Sequence, residues 1–229
     1  MSRSQKFTKL IKLSTTILLI LTVSSYSSTT LAVELSVSKD PKQSFYQVMG
    51  SRFSTFIVEN PAQLAQYQYI YLNPISFEQL TLIKTGKRKI DKSWDFNQDY
   101  TNLIQEEFIK SGTKVFAQQG VLEITEDAAK QRLFLQFFMD SFEPDTFFYS
   151  GVRASELDRL KRVGIIKFRM VVTDFHTGKM LAIASATSTV ARNSDTTANS
   201  KFEHKMAWDD TLSNWQQEFL DIVLMLKQQ

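Results

Sequence analysis

Only two histidines, His176 and His204, and no cysteine occur in the 229 residues. The side chains that hold metals or move protons near neutral pH are therefore scarce. The two histidines are too far apart in sequence to form a helical zinc pair, and no acidic run has calcium-loop spacing. His176 falls in "DFHTGK", whose Asp, Thr and Gly favour a turn, and it reads as a turn residue. His204, in the first turn of a closing helix, reads as a solvated side chain. Serine nucleophiles would need a Gly-x-Ser-x-Gly elbow, and phosphate binding a glycine-rich cradle; the seven glycines form neither. The adjacent carboxylates Asp209 and Asp210 diverge by about 100° around a helix and do not converge on one substrate atom. No catalytic, cofactor or metal residue is assigned, and the chain reads as not an enzyme.

Two stretches are better suited to binding. In "FEPDTFFYSG", Phe147, Phe148 and Tyr149 stand together between turn residues, and a two-faced periodicity cannot bury all three. Exposed aromatics of this kind mark partner contacts; the alternative is a loop folded back over the sheet edge. In "KTGKRKIDK", Lys84, Lys87, Arg88, Lys89 and Lys92 surround one acid, Asp91. Such a loop can touch anionic head groups, each charge contributing about 1 kcal/mol near the surface, or can simply be solvated.

The N-terminus predicts where these stretches work. Arg3, Lys6, Lys9 and Lys12 precede an apolar core from Ile17 to Val23, and Thr30-Leu31-Ala32 ends on small residues, the pattern of a secretory signal peptide over 1–32. The apolar run is shorter than the roughly 20 residues a membrane span needs; an uncleaved anchor is the alternative. Ser24-Ser25-Tyr26-Ser27 stands where a bacterial lipoprotein carries its acceptor cysteine, so the expected location is the periplasm, without a lipid anchor and without a transmembrane span after cleavage. Of 27 basic residues four leave with the signal, so 23 remain against 24 acidic. The pI of about 8.9 belongs to the precursor, and the basic footprint of a nucleic-acid binder is missing.

The elements that must position any site follow from periodicity. Residues 33–58 show none that is sustained and read as a leader; 59–229 read as one domain. Tyr67, Tyr69 and Tyr71 alternate with Ile70 and Leu72, predicting a strand. Asp95 reads as the N-cap of a helix with the stripe Tyr100, Leu103, Ile104 and Phe108, and Gly112 as its stop. "RLFLQFFMDSF" predicts a strand with Leu133, Leu135, Phe137 and Met139 on one face, and residues 163–190 predict two strands around a turn at Asp174 to Gly178. Trp208, Leu212, Trp215, Phe219, Ile222, Val223 and Leu226 share one face of a final helix, with Asp209, Asp210 and Glu218 opposite. The expected fold is α+β: a mostly antiparallel sheet of about four to five strands with helices packed on one face.

Taken in order, "ENPAQLAQYQYIYLNPISF", "YTNLIQEEFIKS", "RLFLQFFMDSFEP", "TDFHTGKMLA" and the Trp208, Leu212, Trp215 helix resemble the bacterial envelope family known as domain of unknown function 3313, over roughly Glu59 to Leu226. The resemblance implies an exported, often lipid-anchored protein of the Gram-negative envelope with no assigned activity and no catalytic residues to transfer. Lacking the acceptor cysteine, this chain would be a non-lipidated member. The functional expectation is a non-enzymatic module that binds an envelope protein through the aromatic loop or a sheet edge, with weak contact to a membrane surface. The alternative is a carrier or sensor of a small apolar ligand such as a lipid, held between the sheet and the Trp208/Trp215 helix.

Overall fold

A computed structural model describes residues 35–39, 45–83, 96–144, 162–191 and 201–229, all within one unit, Val33–Gln229. In chain order the elements are β1 (Ser36–Lys39), β2 (Tyr46–Met49), β3 (Thr55–Val58), α1 (Pro61–Ala65), β4 (Tyr69–Leu72), β5 (Thr81–Leu82), α2 (Gln98–Gln119), β6 (Glu123–Ile124), β7 (Arg132–Pro144), β8 (Arg162–Asp174), β9 (Met180–Ala191) and α3 (Lys201–Lys227). The long strands β7, β8 and β9 carry the alternating apolar residues and form the centre of one sheet, ordered β1-β2-β3-β9-β8-β7-β4-β6 with β5 also beside β7.

Among the described residues the sheet has nine strands, not four to five, and it is mixed, with five antiparallel and three parallel pairings, and three helices accompany it. Two physical reasons account for the difference. Three strands come from residues 36–58, within the stretch read as a leader; each is four residues long, too short for a visible period of two. They become strands through pairing, as when Thr55 to Val58 run antiparallel to Ser185 to Ala182. The second reason is the crossover formed by β4, α2 and β7. A helix carries the chain back along the sheet, so β4 pairs with β7 in parallel, and β6 and β5 join in parallel as well.

Local chemistry sets the helix ends. The α2 N-cap is Asn97, whose side chain accepts from the Tyr100 backbone N–H, rather than Asp95. The helix passes through Gly112 and ends at Gly120, whose φ of 61° gives the left-handed cap. Gly112 instead lies where α2 crosses Leu72 and Gln216. Gln216 is fully buried there: its Nε2 donates to the Phe108 carbonyl at 2.9 Å, and its Oε1 accepts from Ser111 at 2.7 Å.

All seven residues of the expected α3 stripe are buried. Phe56, Ala184, Met170 and Phe137 are cross-strand partners and so share the face on which the helices pack. Trp215 stacks on Phe168 with ring centroids 3.6 Å apart, Phe108 meets Phe137 at 5.2 Å, and Trp208 lies against Phe142 at 5.9 Å. Glu218 does not face solvent as expected. It accepts from the Arg52 backbone N–H at 2.8 Å and pairs with that guanidinium, tying the β2–β3 connection to α3. His204 is also buried rather than solvated, with Nδ1 3.1 Å from the Tyr100 hydroxyl.

Candidate functional site on the open sheet face

Because side chains alternate along a strand, the residues between the buried ones define the opposite face, on which no described helix packs. Its cross-strand rows follow from the register. Ile57, Ile183, Val171 and Gln136 form one row, and Thr55, Ser185, Arg169 and Phe138 a second. Tyr71, Phe134 and Thr173 form a third, and Tyr69 lies beside Arg132 at the end of β7. The aromatic and aliphatic members of these rows are partly buried, not solvated.

Polar groups fix parts of this face. Gln136 accepts from the Asn73 amide and donates to the Pro74 carbonyl at 2.7 Å, holding the chain after β4 against β7. Arg169 makes a bidentate pair with Asp140, at 2.8 to 3.0 Å, and donates to Gln79 at 2.6 Å. Arg132 differs. It is 3 % exposed, its Nη1 donates to the Thr125 carbonyl at 3.0 Å, and its buried Nε makes no hydrogen bond to the protein. Its charge rests on ring faces, 3.9 Å from the Phe175 centroid and 5.0 Å from that of Tyr71. Tyr71 in turn stacks on Phe134 at 5.8 Å, and Lys130 lies 4.1 Å from the Tyr69 centroid.

Replacing a buried cation that lacks an acid with an apolar chain of similar length costs little, whereas truncation empties the space between the rings. Arg132→Met is therefore expected to change stability by less than about 1 kcal/mol and Arg132→Ala to lower it by about 2 to 3 kcal/mol, as read by urea unfolding of both variants.

Behind this site the β8–β9 turn is held by Asp174, which accepts from the Tyr67 hydroxyl and from the Thr177 backbone and hydroxyl at 2.6 and 2.9 Å. Tyr67 is buried, unlike Tyr69 and Tyr71, because the strand begins only at Tyr69. Burial alone would raise the Asp174 pKa, but hydrogen bonds from Tyr67, Thr177 and the His176 backbone bring it down to about 2. Burial, with the hydrogen bond to Asp174 and its charge, pushes Tyr67 up to about 12. A depressed carboxyl contributes stability above its unfolded value and loses it as pH falls toward the folded one. The parent melting temperature is thus expected to drop as pH falls from 3.8 to about 2, and Asp174→Asn to flatten that fall, as seen by calorimetry across the acid range. Tyr67 acts at the other end: its contribution is complete below pH 10 and fades as pH rises toward about 12.

Of the residues singled out in the sequence, Phe147, Phe148 and Tyr149 and also Lys84, Lys87, Arg88, Lys89 and Lys92 lie outside the described residues. The described residues that bound those stretches meet at one end of β7: the Ile83 N–H donates to the Phe142 carbonyl, Phe96 packs 5.6 Å from Phe142, and Pro144 pairs with Gly164. Arg132 is at the other end of β7, about 40 Å away along the strand. His176 sits in the turn as expected, exposed, with Nε2 3.1 Å from the Lys130 carbonyl. The Arg132 cluster escaped the sequence reading, although its signal was present: the period that puts Leu133, Leu135 and Phe137 on one face puts Arg132, Phe134 and Phe138 on the other. Among the described residues no group of three or more His, Asp or Glu side chains gathers as metal ligands would, and no helix is long and apolar enough to cross a membrane.

Fold and site define an α+β protein with a helix-covered sheet whose other face presents aromatic and cationic side chains. Among solved structures the chain is similar to the protein XCC0632 from Xanthomonas campestris, of family DUF330, with 14% identity over 74% of this chain and 91% of that chain and a TM-score of 0.44. It is also similar to the PelC dodecamer from Paraburkholderia phytofirmans, with 12% identity over 65% of this chain and 88% of that chain and a TM-score of 0.32. Likeness at this level fixes neither a function nor an assembly for this chain. No family model matches the chain, that of domain of unknown function 3313 included, and no curated protein matches it.

Proposed function

We propose that the chain is exported by its N-terminal signal and works in the periplasm as a non-enzymatic module that holds an envelope protein on the open face of its sheet. One observation carries the reading: rows of partly buried aromatic and aliphatic side chains, Ile57, Ile183 and Val171 beside Tyr71 and Phe134, on a face that no described helix covers. Apolar area of this kind, rimmed by ordered polar groups such as Arg169–Asp140, is the surface a protein partner removes from water. The N-terminal pattern, Arg3 to Lys12 ahead of the apolar run Ile17 to Val23, supports the compartment. A lipid between sheet and α3 is disfavoured because Phe168, Phe137 and Phe142 already pack against Trp215 and Trp208, and a ligand would have to displace them.

Photo-crosslinking in cells tests the reading. Benzoyl-phenylalanine at Phe134 or Val171 is expected to capture one defined protein, and the same group at Lys114, exposed on α2, to capture none. Equal capture from both faces, or none from the open face, removes the proposal. Fractionation with N-terminal sequencing checks the compartment: the expected product is a periplasmic chain beginning at Val33, and an unprocessed chain in the membrane pellet would refute export with cleavage.

A further inference from the structure

We infer that the partner segment received on this face is acidic, and that its carboxylates are taken by Arg132 and Lys130; this rests on the protein-binding reading above. A guanidinium has five N–H donors and is costly to bury without an anion. Arg52 and Arg169 each have a carboxylate, Glu218 and Asp140. Arg132, the most buried of the three, has none among the described residues: one donor reaches the Thr125 carbonyl and Nε reaches nothing. Lys130 beside it rests on the Tyr69 ring, likewise without an acid. Three acids lie nearby, Glu123 opposite Tyr69 on β6 and Glu126 and Asp127 in the connection to β7, but all are exposed and none pairs with either cation.

Two uncompensated cations set among ring faces complement negative charge, and the low local dielectric strengthens a charge-assisted bond made there. The Thr125 carbonyl takes only one of the five donors of the Arg132 guanidinium, which leaves capacity for a charge-assisted bond to a carboxylate. A lipid head group could meet the same cations but would leave the row Val171, Ile183 and Ile57 bare. A peptide with acidic side chains next to apolar ones covers both.

The test uses the full chain in cells with benzoyl-phenylalanine at Phe134, alone and combined with Lys130→Gln or Arg132→Met, and identifies the crosslinked peptide by mass spectrometry. The expected adduct is a protein segment with Asp or Glu close to the crosslinked residue. Its yield should fall about three-fold with Lys130→Gln, as for a rim charge, and about ten-fold or more with Arg132→Met, as for a desolvated charge partner. An adduct peptide without acids, or yields unchanged in both variants, overturns the acidic-segment inference while the captured protein leaves the binding reading standing. No adduct in the parent, or an adduct to phospholipid, overturns the binding reading itself. Should Arg132→Met fail to fold, Lys130→Gln decides, since among the described residues that side chain makes no ion pair or hydrogen bond and only rests on the Tyr69 ring.

Discussion

Trp208→Ala is expected to lower the unfolding free energy by about 4 kcal/mol, within the range for removing a buried Trp ring, and the melting temperature by roughly 8 to 16 °C for a chain of this size. Trp208 is fully buried on the helix face of the sheet, 5.9 Å from Phe142 and 6.5 Å from Tyr100, and its Nε1 donates to the Tyr100 hydroxyl at 2.8 Å. Two contributions are therefore lost together. Trp208→Phe separates them: it keeps most of the ring contact and removes the donor, so it should cost only about 1 to 2 kcal/mol. Urea unfolding with an unchanged slope for both variants would establish that the loss lies in the native packing. A Trp208→Ala loss below about 1 kcal/mol would mean that α3 is not seated on the sheet in this way.

Gly112→Leu should cost about 3 kcal/mol, the upper range for overpacking. In an exposed helix, replacing Gly by Ala would gain up to about 1 kcal/mol from propensity. At Gly112 the sign reverses. A Cβ there would overlap Leu72 Cδ1 and come within 2.9 Å of Gln216 Nε2. Leu72 sits in the core, and Gln216 is pinned by its bonds to Phe108 and Ser111, so neither can yield freely. Gly112→Ala is expected to destabilise by about 1 kcal/mol and Gly112→Leu by more. The check is a double-mutant cycle: Leu72→Ala combined with Gly112→Leu should cost less than the two changes added, because Leu72→Ala makes room for the new side chain at position 112. Strict additivity would place α2 elsewhere.

Several elements were legible in the sequence because their signals are local. The α3 stripe repeats at three and four residues over about five turns, and each of its large side chains is buried. The turn at Asp174 to Gly178 follows from residues chosen for turn geometry, and Gly178 takes a φ of 67°. One face of β7 was visible through its alternation of Leu and Phe. Such features need only the geometry of a few consecutive residues, so the sequence determines them.

Other features depend on distant residues meeting. Strands β1, β2 and β3 are four residues each and exist through their partners, which is why their stretch read as a leader and the strand number came out too low. The Gly residue taken as a helix stop turned out to be a crossing point, because the space that excludes a Cβ is made by Leu72 and Gln216 from other elements. His204 read as solvated because burial is decided by what packs over a helix turn, here Tyr100 from α2. Arg132 follows the same logic: a cation at the start of a strand reads as solvent-facing. Tertiary structure alone surrounds it with Tyr71 and Phe175, from positions 61 residues before and 43 after it, and gives it no carboxylate among the described residues. The sequence by itself determined periodicity and turns. Which face the described helices leave uncovered, and which cation lies on it without a carboxylate among the described residues, was decided by contacts between residues far apart in the chain, whose positions no local pattern encodes.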